Sequence, residues 1–297
     1  MSMNRRDFLA GSLAFTAAAT AAPPAPVVDT DGMMLVNGKR TFAIGSYYLP
    51  NGPQGWERAK EAGFQFIHTG GKKEELDQAA ALGMKSWVTV GSIKPASKAA
   101  DEARIRKTVS ELRDHPALLF WETEDEPSYQ WRKPLEPRLT PDIIRNSYRF
   151  LREIDPKHGV YLNHSPTNLV STLRQYNPGG DFIAMDIYPV IPHGIRLSYA
   201  LWDDGRQGDL LNTHISQVGQ YTDKMRQVAG PNRSVFMVLQ AFAWEMLQSK
   251  DRDPKMVLYP TRSQLRFMNY QSIVHGANGV VYWGLTFTPA GHPFWDD

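Results

Sequence analysis

The chain of 297 residues contains no cysteine. Disulfide bonds, thiolate metal sites and a cysteine nucleophile are therefore all excluded. The chain also carries little net charge, +2 at pH 7, and its lysines and arginines are scattered along its length. Because a nucleic-acid-binding protein concentrates basic residues on one face, we expect no nucleic-acid partner.

Long apolar runs are missing as well. Beyond the first 25 residues, no stretch has the roughly 20 consecutive apolar residues that a membrane-spanning helix needs. With 42% hydrophobic and 22% charged residues, the composition is typical of a folded globular chain. The length is normal for a single α/β barrel, so we expect one domain after the N-terminal segment.

The N-terminal segment has the layout of an export signal. Arg5 and Arg6 precede an alanine-rich apolar run, which ends in small residues and prolines. This order predicts a secretory signal peptide, with an ordinary N-terminal helix or anchor as the alternative. The paired arginines before "DFL" resemble a twin-arginine signal. We therefore predict a signal over residues 1–25, a folded domain over residues 26–297, and a periplasmic or extracellular location in bacteria.

After this segment, short apolar stretches alternate with amphipathic ones. The predicted strands are 41–48, 64–69, 85–91, 118–124, 159–165, 181–189, 234–242 and 279–287. The predicted helices are 55–63, 72–83, 100–115, 140–155, 166–177, 211–230 and 261–279.

Eight strands that alternate with helices predict a parallel (β/α)8 TIM barrel of the α/β class. The first strand-to-helix turn lacks the glycine fingerprint of a dinucleotide-binding sheet. No helix is predicted after the last strand, so we expect a barrel that lacks its eighth helix or is truncated there.

Active sites of such barrels lie at the carboxyl ends of the strands. The residues there that we expect to bind substrate are Tyr47, His68, Asp125, Asn163, His164, Tyr188, Gln240 and Trp283. Polar residues also occur at strand ends simply because they meet solvent. Contact with solvent does not explain the aromatic residues among them, and the flat rings of these residues are suitable platforms for sugars.

The stretch "WETEDEP" places four acidic residues at the end of the fourth predicted strand. Crowded, partly buried acids raise the pKa of at least one of them. Cleavage of a glycosidic bond needs one protonated and one ionised carboxyl group, so such a cluster suits that reaction. We interpret Glu122 as a buried polar contact or a barrel-interior acid paired with an arginine, and Glu124 as a solvated or salt-bridged acid.

Other chemistries have weaker support. His68, His164 and Asp186 could in principle form a metal site, but no His-x-His or His-x-x-x-His pair supplies two ligands from one element. No Gly-x-Ser-x-Gly elbow indicates a serine hydrolase. We predict no metal and no cofactor, and keep a metal-dependent hydrolase as the third hypothesis.

"FWETEDEP" resembles the fourth-strand motif of clan A glycoside hydrolases, in which an Asn-Glu-Pro or Asp-Glu-Pro triplet carries the general acid/base. The resemblance assigns that role to Glu126, with Asp125 beside it. "MDIYP" is similar to the sixth-strand segment of the clan, and it implies that Asp186 and Tyr188 lie in the cleft. "VVYWG" is similar to the eighth strand, and it implies that Trp283 lines a sugar subsite.

One position departs from the clan. Its nucleophile is a glutamate at the end of the seventh strand, where this chain has Gln240. A neutral amide cannot form a glycosyl ester or act as a carboxylate base, so Glu245 or Asp186 has to be the second carboxylate. We expect a secreted glycoside hydrolase of poly- or oligosaccharides with Glu126 as the acid. The alternative is a non-catalytic carbohydrate-binding barrel.

The export hypothesis predicts that the paired arginines direct the protein out of the cytoplasm. An Arg5→Lys/Arg6→Lys variant keeps the charge but should remain in the cytoplasm with residues 1–25 attached, because a receptor reads such signals. Cell fractionation with mass spectrometry of the N-terminus measures this. An Arg262→Lys/Arg266→Lys variant serves as the control, and unchanged export of the first variant would contradict the hypothesis.

Overall fold

The computed structural model describes residues 28–130, 136–192, 214–231, 233–248 and 250–289. The predicted signal and its boundary with the folded domain lie outside the described residues. The expected absence of an eighth helix concerns residues 290–297, which also lie outside them. Within the described ranges, every helix is too short or too polar for a bilayer span.

A short antiparallel hairpin precedes the barrel. Its strands are β1 (Met34–Val36) and β2 (Lys39–Thr41). Asn37 and Gly38 form the turn, and both have positive φ, the conformation that an Asn-Gly turn requires.

All eight predicted barrel strands are present. They are β3 (Ala43–Ser46), β4 (Phe66–Thr69), β5 (Lys85–Thr89), β6 (Leu118–Glu122), β7 (Gly159–His164), β8 (Phe182–Ile187), β9 (Ser234–Gln240) and β10 (Gly279–Trp283). Each strand pairs in parallel with its neighbour in sequence, and β10 pairs with β3 to close the barrel. The predicted (β/α)8 class is confirmed.

Seven α-helices of the described residues surround the strands, as predicted. They are α1 (Gly55–Glu61), α2 (Lys73–Ala81), α3 (Lys98–Leu112), α4 (Pro141–Ile154), α5 (Val170–Arg174), α6 (Gln217–Ala229) and α7 (Arg262–Val274). At the start of α7, Thr261 and Gln264 form a reciprocal capping box.

Helix α5 is shorter than the predicted 166–177, and its first residues explain the difference. The Thr167 hydroxyl bonds to the side chains of Ser165 and Asn168, and the Asn168 amide donates to the Ser128 carbonyl at 3.2 Å. Such local side-chain bonds compete with helical backbone bonds, so helix formation starts only after them.

Aromatic side chains fill the interior of the barrel. Ring centroids lie 5.2 to 6.4 Å apart within a layer formed by Phe66, Trp87, Phe120, Tyr161, Phe182 and Phe236. Separate apolar clusters pack between the outer faces of the strands and the helices. Because side chains alternate along a strand, the inward positions beyond this layer lie at the barrel mouth.

The aromatic layer predicts a large stability difference between two phenylalanines. Phe120 is fully buried, so Phe120→Ala should lower the free energy of unfolding by about 3–5 kcal/mol through lost contacts and an unfilled cavity. Phe267 on α7 is 39% exposed, and Phe267→Ala should change the free energy of unfolding by about 0.5 kcal/mol or less. Urea unfolding measures both, and equal losses would contradict the assignment of Phe120 to the core.

Candidate active site

A cleft of about 440 Å³ opens at the carboxyl ends of the barrel strands. The residues that line it are Asp125, Glu126, Arg138, Asp186, Tyr188, Phe242, Trp244, Leu247 and Trp283. Five of them were predicted from the sequence, and they come from the ends of the fourth, sixth and eighth barrel strands. The structure therefore brings residues that lie far apart in the chain into one cavity.

Glu126 reaches the cleft through a tight turn rather than a strand. It lies four residues beyond the end of β6, is buried, and has a φ of 41°. This left-handed conformation is strained for a residue with a side chain, and such strain concentrates at functional sites. Pro127 follows at once and restricts the backbone further. The turn therefore places the backbone of Glu126 at the edge of the cleft.

Asn163 connects two of the carboxyl groups. Its Nδ2 donates to Oδ1 of Asp125 at 2.9 Å and to Oδ1 of Asp186 at 2.8 Å. The Asp186 carboxyl group also forms a hydrogen bond with that of Glu126. The cleft thus contains three linked carboxyl groups, with the Asn163 amide as a donor to two of them.

The cluster retains protons. Burial raises the pKa of Asp186 well above its ordinary value, and the charges of Glu126 and Asp125 raise it further, while the Asn163 hydrogen bond opposes the change. Burial also raises the pKa of Asp125, against the Asn163 bond and the Arg138 charge. Because two carboxyl groups in contact cannot both ionise easily, the contact with Glu126 favours the protonated form of Asp186.

Glu122 forms a second polar group just inside the barrel. Its Oε2 accepts from Nε1 of Trp87 at 3.2 Å and from the hydroxyl of Thr89 at 2.6 Å, which agrees with its interpretation as a buried polar contact. The same hydroxyl bonds to Nε2 of His68 at 2.9 Å. Burial, with the nearby Asp125 charge, raises the pKa of Glu122 to about 8.

Glu245, one of the two candidates for the second carboxylate, is placed elsewhere. Its Oε1 accepts from the backbone N–H of Asp253 at 2.7 Å. The neighbouring Trp244 and Leu247 line the cleft, but Glu245 does not. The structure therefore brings Asp186, and not Glu245, to Glu126.

Gln240 lies at the end of β9 and is fully buried. Its amide nitrogen donates to the carbonyls of Val190 and Phe242, both at 2.9 Å, and its Oε1 accepts from the Val190 N–H at 2.8 Å. These bonds connect β9 to the segment after β8. Gln240 therefore supports the wall of the cleft and does not line it.

The two predicted histidines and Tyr47 lie outside the carboxylate cleft. Tyr47 and His68 line a neighbouring pocket on the same rim. His164 lies on the outward face of β7, where its ring packs edge-on against Tyr176 with centroids 6.1 Å apart. Its ring nitrogens have no partner among the described residues, and burial lowers its pKa to about 3.

The described ranges contain no group of three histidine or acidic residues that could hold a metal ion. His68, His164 and Asp186, the metal ligands considered from the sequence, are thus not brought together. Asp186 lies in the cleft, His68 faces the neighbouring pocket, and His164 faces the helices.

Aromatic side chains form one wall of the cleft. The rings of Tyr188 and Trp283 are stacked with centroids 5.6 Å apart, and the centroids of Phe242 and Trp283 lie 4.9 Å apart in an edge-on arrangement. The indole N–H of Trp244 donates to the Tyr188 carbonyl at 3.2 Å. Phe242 and Trp244 were not predicted, although aromatic residues at the end of a predicted strand and two positions beyond it were an available signal.

Arg138 was also missed. Its guanidinium donates to the Asp125 carbonyl at 2.7 Å and to the Glu124 carboxylate at 3.0 Å. The pair with Glu124 agrees with the interpretation of Glu124 as a salt-bridged acid. Nothing in the local sequence marks Arg138, since its partners lie 13 and 14 residues earlier.

No model of a known protein family matches the sequence, and no curated protein matches it. Solved structures do share its fold. The β-glucuronidase 2 of Bacteroides uniformis, covalently bound to cyclophellitol-6-carboxylate aziridine, aligns with a TM-score of 0.59 and 16% identity. The alignment covers 86% of this chain and 32% of that one.

Two further glycosidases align in the same way. The GH2 β-galacturonidase of Eisenbergiella tayi, bound to galacturonate, has a TM-score of 0.55 and 14% identity, over 86% of this chain and 46% of that one. The β-galactosidase of the psychrophilic Marinomonas ef1 has a TM-score of 0.53 and 13% identity, over 81% and 54%. The chain spans between a third and about half of these enzymes, and the likeness shows a fold that glycoside hydrolases share.

The raised pKa of Glu122 predicts a pH-dependent loss of stability. A carboxyl group that binds its proton more tightly when folded destabilises the protein as pH rises from its ordinary pKa of 4.5 to about 8. The amide oxygen of Glu122→Gln can still accept both hydrogen bonds. The free energy of unfolding of this variant should therefore fall less than that of the parent over this pH range. At higher pH the difference between the two proteins should stay constant.

Chemical denaturation at a series of pH values from below 4.5 to above 8 measures this difference. Glu57→Gln, which changes an exposed carboxyl group on α1, is the matched control and should follow the parent. Parallel curves for Glu122→Gln and the parent would contradict the shifted pKa of Glu122.

Proposed function

We propose that the protein is a secreted glycoside hydrolase in which Glu126 and Asp186 cleave the glycosidic bond. The observation that carries this proposal is the hydrogen-bonded pair of buried carboxyl groups in an aromatic-walled cleft. Cleavage requires a proton for the leaving oxygen and a carboxylate that assists at the sugar. A pair that shares one proton supplies both groups from the same site.

In this proposal the proton held between the two groups passes to Glu126, which donates it to the leaving oxygen, and Asp186 is left as the ionised second carboxylate. Two groups in direct contact are closer than the roughly 5 Å of a retaining pair or the roughly 6.5–9.5 Å of an inverting one, so the bound sugar has to separate them. Asp186 lies within β8 and is held by Asn163, whereas Glu126 lies on a turn. Glu126 is therefore the group that moves.

The walls of the cleft support a carbohydrate ligand. Tyr188, Trp244 and Trp283 present large aromatic surfaces, and convergent polar groups at their edge can fix the orientation of a sugar.

The charges in the cleft favour a neutral sugar. Several of the similar structures are enzymes of uronic acids by name, and a uronate carboxylate needs a cationic partner. Among the described residues, Arg138 is the one cationic side chain that lines the cleft, and it is already paired with Glu124. Three carboxyl groups in the same cavity would repel a further negative charge.

A second candidate function is carbohydrate binding without cleavage. The observation that favours it is the position of the seventh-strand residues: Gln240 bonds to backbone groups and Glu245 bonds to Asp253. No carboxylate of that strand, within the described chain, thus lines the cleft. Measured turnover of a glycan would distinguish the hydrolase from the binding protein.

The hydrolase proposal predicts unequal effects of three carboxyl substitutions. Glu126→Gln and Asp186→Asn should each lower kcat by about 10²–10⁴-fold, because each removes a proton-transfer group. Glu245→Gln, a matched change just outside the cleft, should keep kcat close to that of the parent. Kinetics on a panel of neutral aryl glycosides and oligosaccharides measure all three.

Full activity of Glu126→Gln on a substrate that the parent cleaves would contradict the assignment. A large loss in Glu245→Gln with a small one in Asp186→Asn would reverse the choice of second carboxylate. Binding of glycans by the parent with no turnover across the panel would favour the non-catalytic barrel.

A further inference from the structure

A second pocket, of about 550 Å³, lies beside the cleft on the same rim of the barrel. It is bounded by the ends of β3 and β4 and by the segments that follow them. The side chains that matter for its chemistry are Tyr47, Tyr48, Asn51, Trp56, His68 and Gln78. The proposed hydrolytic reaction uses none of them.

The pocket and the cleft meet at one pair of aromatic rings. Tyr48 lines the pocket and Trp283 lines the cleft, and their ring centroids are 6.4 Å apart in an edge-on arrangement. Both residues lie at the ends of strands that pair with each other, β3 and β10. A ligand that extends past Trp283 therefore passes over Tyr48 into the pocket.

The walls of the pocket are fixed by internal hydrogen bonds. The Asn51 amide donates to the carbonyls of Thr286 and Thr288 at 2.6 and 2.9 Å, and the Arg58 guanidinium donates to the Asn51 carbonyl at 2.7 Å. These bonds connect the segment after β3 to the segment after β10. The pocket is thus formed before a ligand arrives, which lowers the entropic cost of binding.

The lining suits an uncharged, hydroxyl-rich ring. The described residues that line the pocket include no lysine or arginine, and their one acid, Glu75, accepts a hydrogen bond from the Gly70 N–H at 2.9 Å. Burial lowers the pKa of His68 to about 4, so its imidazole is neutral near pH 7. Aromatic faces with neutral hydrogen-bonding groups between them are the typical lining of a saccharide site.

We propose that this pocket is a second saccharide subsite, which binds a further neutral sugar unit of a chain that also occupies the cleft. The preferred ligand is then an oligosaccharide or polysaccharide longer than a disaccharide. The position of the scissile bond in that chain rests on the proposed function, but the binding of the chain does not.

The test is the dependence of affinity on chain length. The full chain with Glu126→Gln, which should bind without cutting, is titrated calorimetrically with neutral β-linked oligosaccharides of glucose, galactose, mannose and xylose, each as a disaccharide and a tetrasaccharide. In the series that binds, the tetrasaccharide should bind about tenfold more tightly or better, equivalent to ~1.4 kcal/mol.

Two variants test whether the higher affinity for the tetrasaccharide comes from the pocket. Tyr48→Ala and Gln78→Ala, each in the Glu126→Gln background, should reduce the ratio between the two affinities towards one. Gln78 is exposed on α2, so its substitution leaves the core intact. Tyr270→Ala, which removes a 55% exposed ring on α7, is the control and should leave the ratio unchanged.

Equal affinities for disaccharide and tetrasaccharide in every series, or no binding at all, would overturn the inference. So would an unchanged ratio in both pocket variants. A chain-length gain without cleavage by the parent would support the subsite and contradict the hydrolase. Cleavage without a chain-length gain would contradict the subsite alone.

Discussion

The pairing of β10 with β3 is the constraint on which the rest of the structure depends. It closes eight parallel strands into a barrel, so every strand ends at the same rim. The pleat then divides each strand into inward and outward residues. Below the rim the inward positions hold a packed aromatic layer, and at the rim they hold polar groups such as Thr89, Glu122 and Asn163. The cleft and the second pocket are both consequences of this closure.

Burial governs the electrostatics of the rim. Glu122, Asp125 and Asp186 all have raised pKa values, and in each case desolvation is the largest cause. Asn163 supplies neutral hydrogen bonds to two of them, which orient the carboxyl groups without forcing them to ionise. The raised pKa values favour the protonated forms of these carboxyl groups.

Much of the fold could be predicted because strand and helix periodicity is a local property. All eight barrel strands and all seven α-helices of the described residues were predicted, and α5 was the weakest prediction because side-chain bonds near Thr167 replace helical ones. The site was only partly predictable. Position at a strand end indicated that Glu126 and Asp186 lie at the same rim, since parallel strands bring their ends together. It could not exclude His164, because adjacent residues on a strand face opposite sides.

By itself, the sequence determined the order of the elements, the absence of thiol chemistry and the concentration of acids after the fourth barrel strand. Tertiary structure alone decided which carboxyl group faces Glu126. Glu245 and Asp186 were equivalent candidates in the sequence. A backbone N–H of Asp253 binds the first, while Asn163 and the closure of the barrel hold the second in the cleft. The physical reason is that hydrogen bonds fix the direction of a side chain at or beyond a strand end. The partners in those bonds are not its neighbours in the sequence.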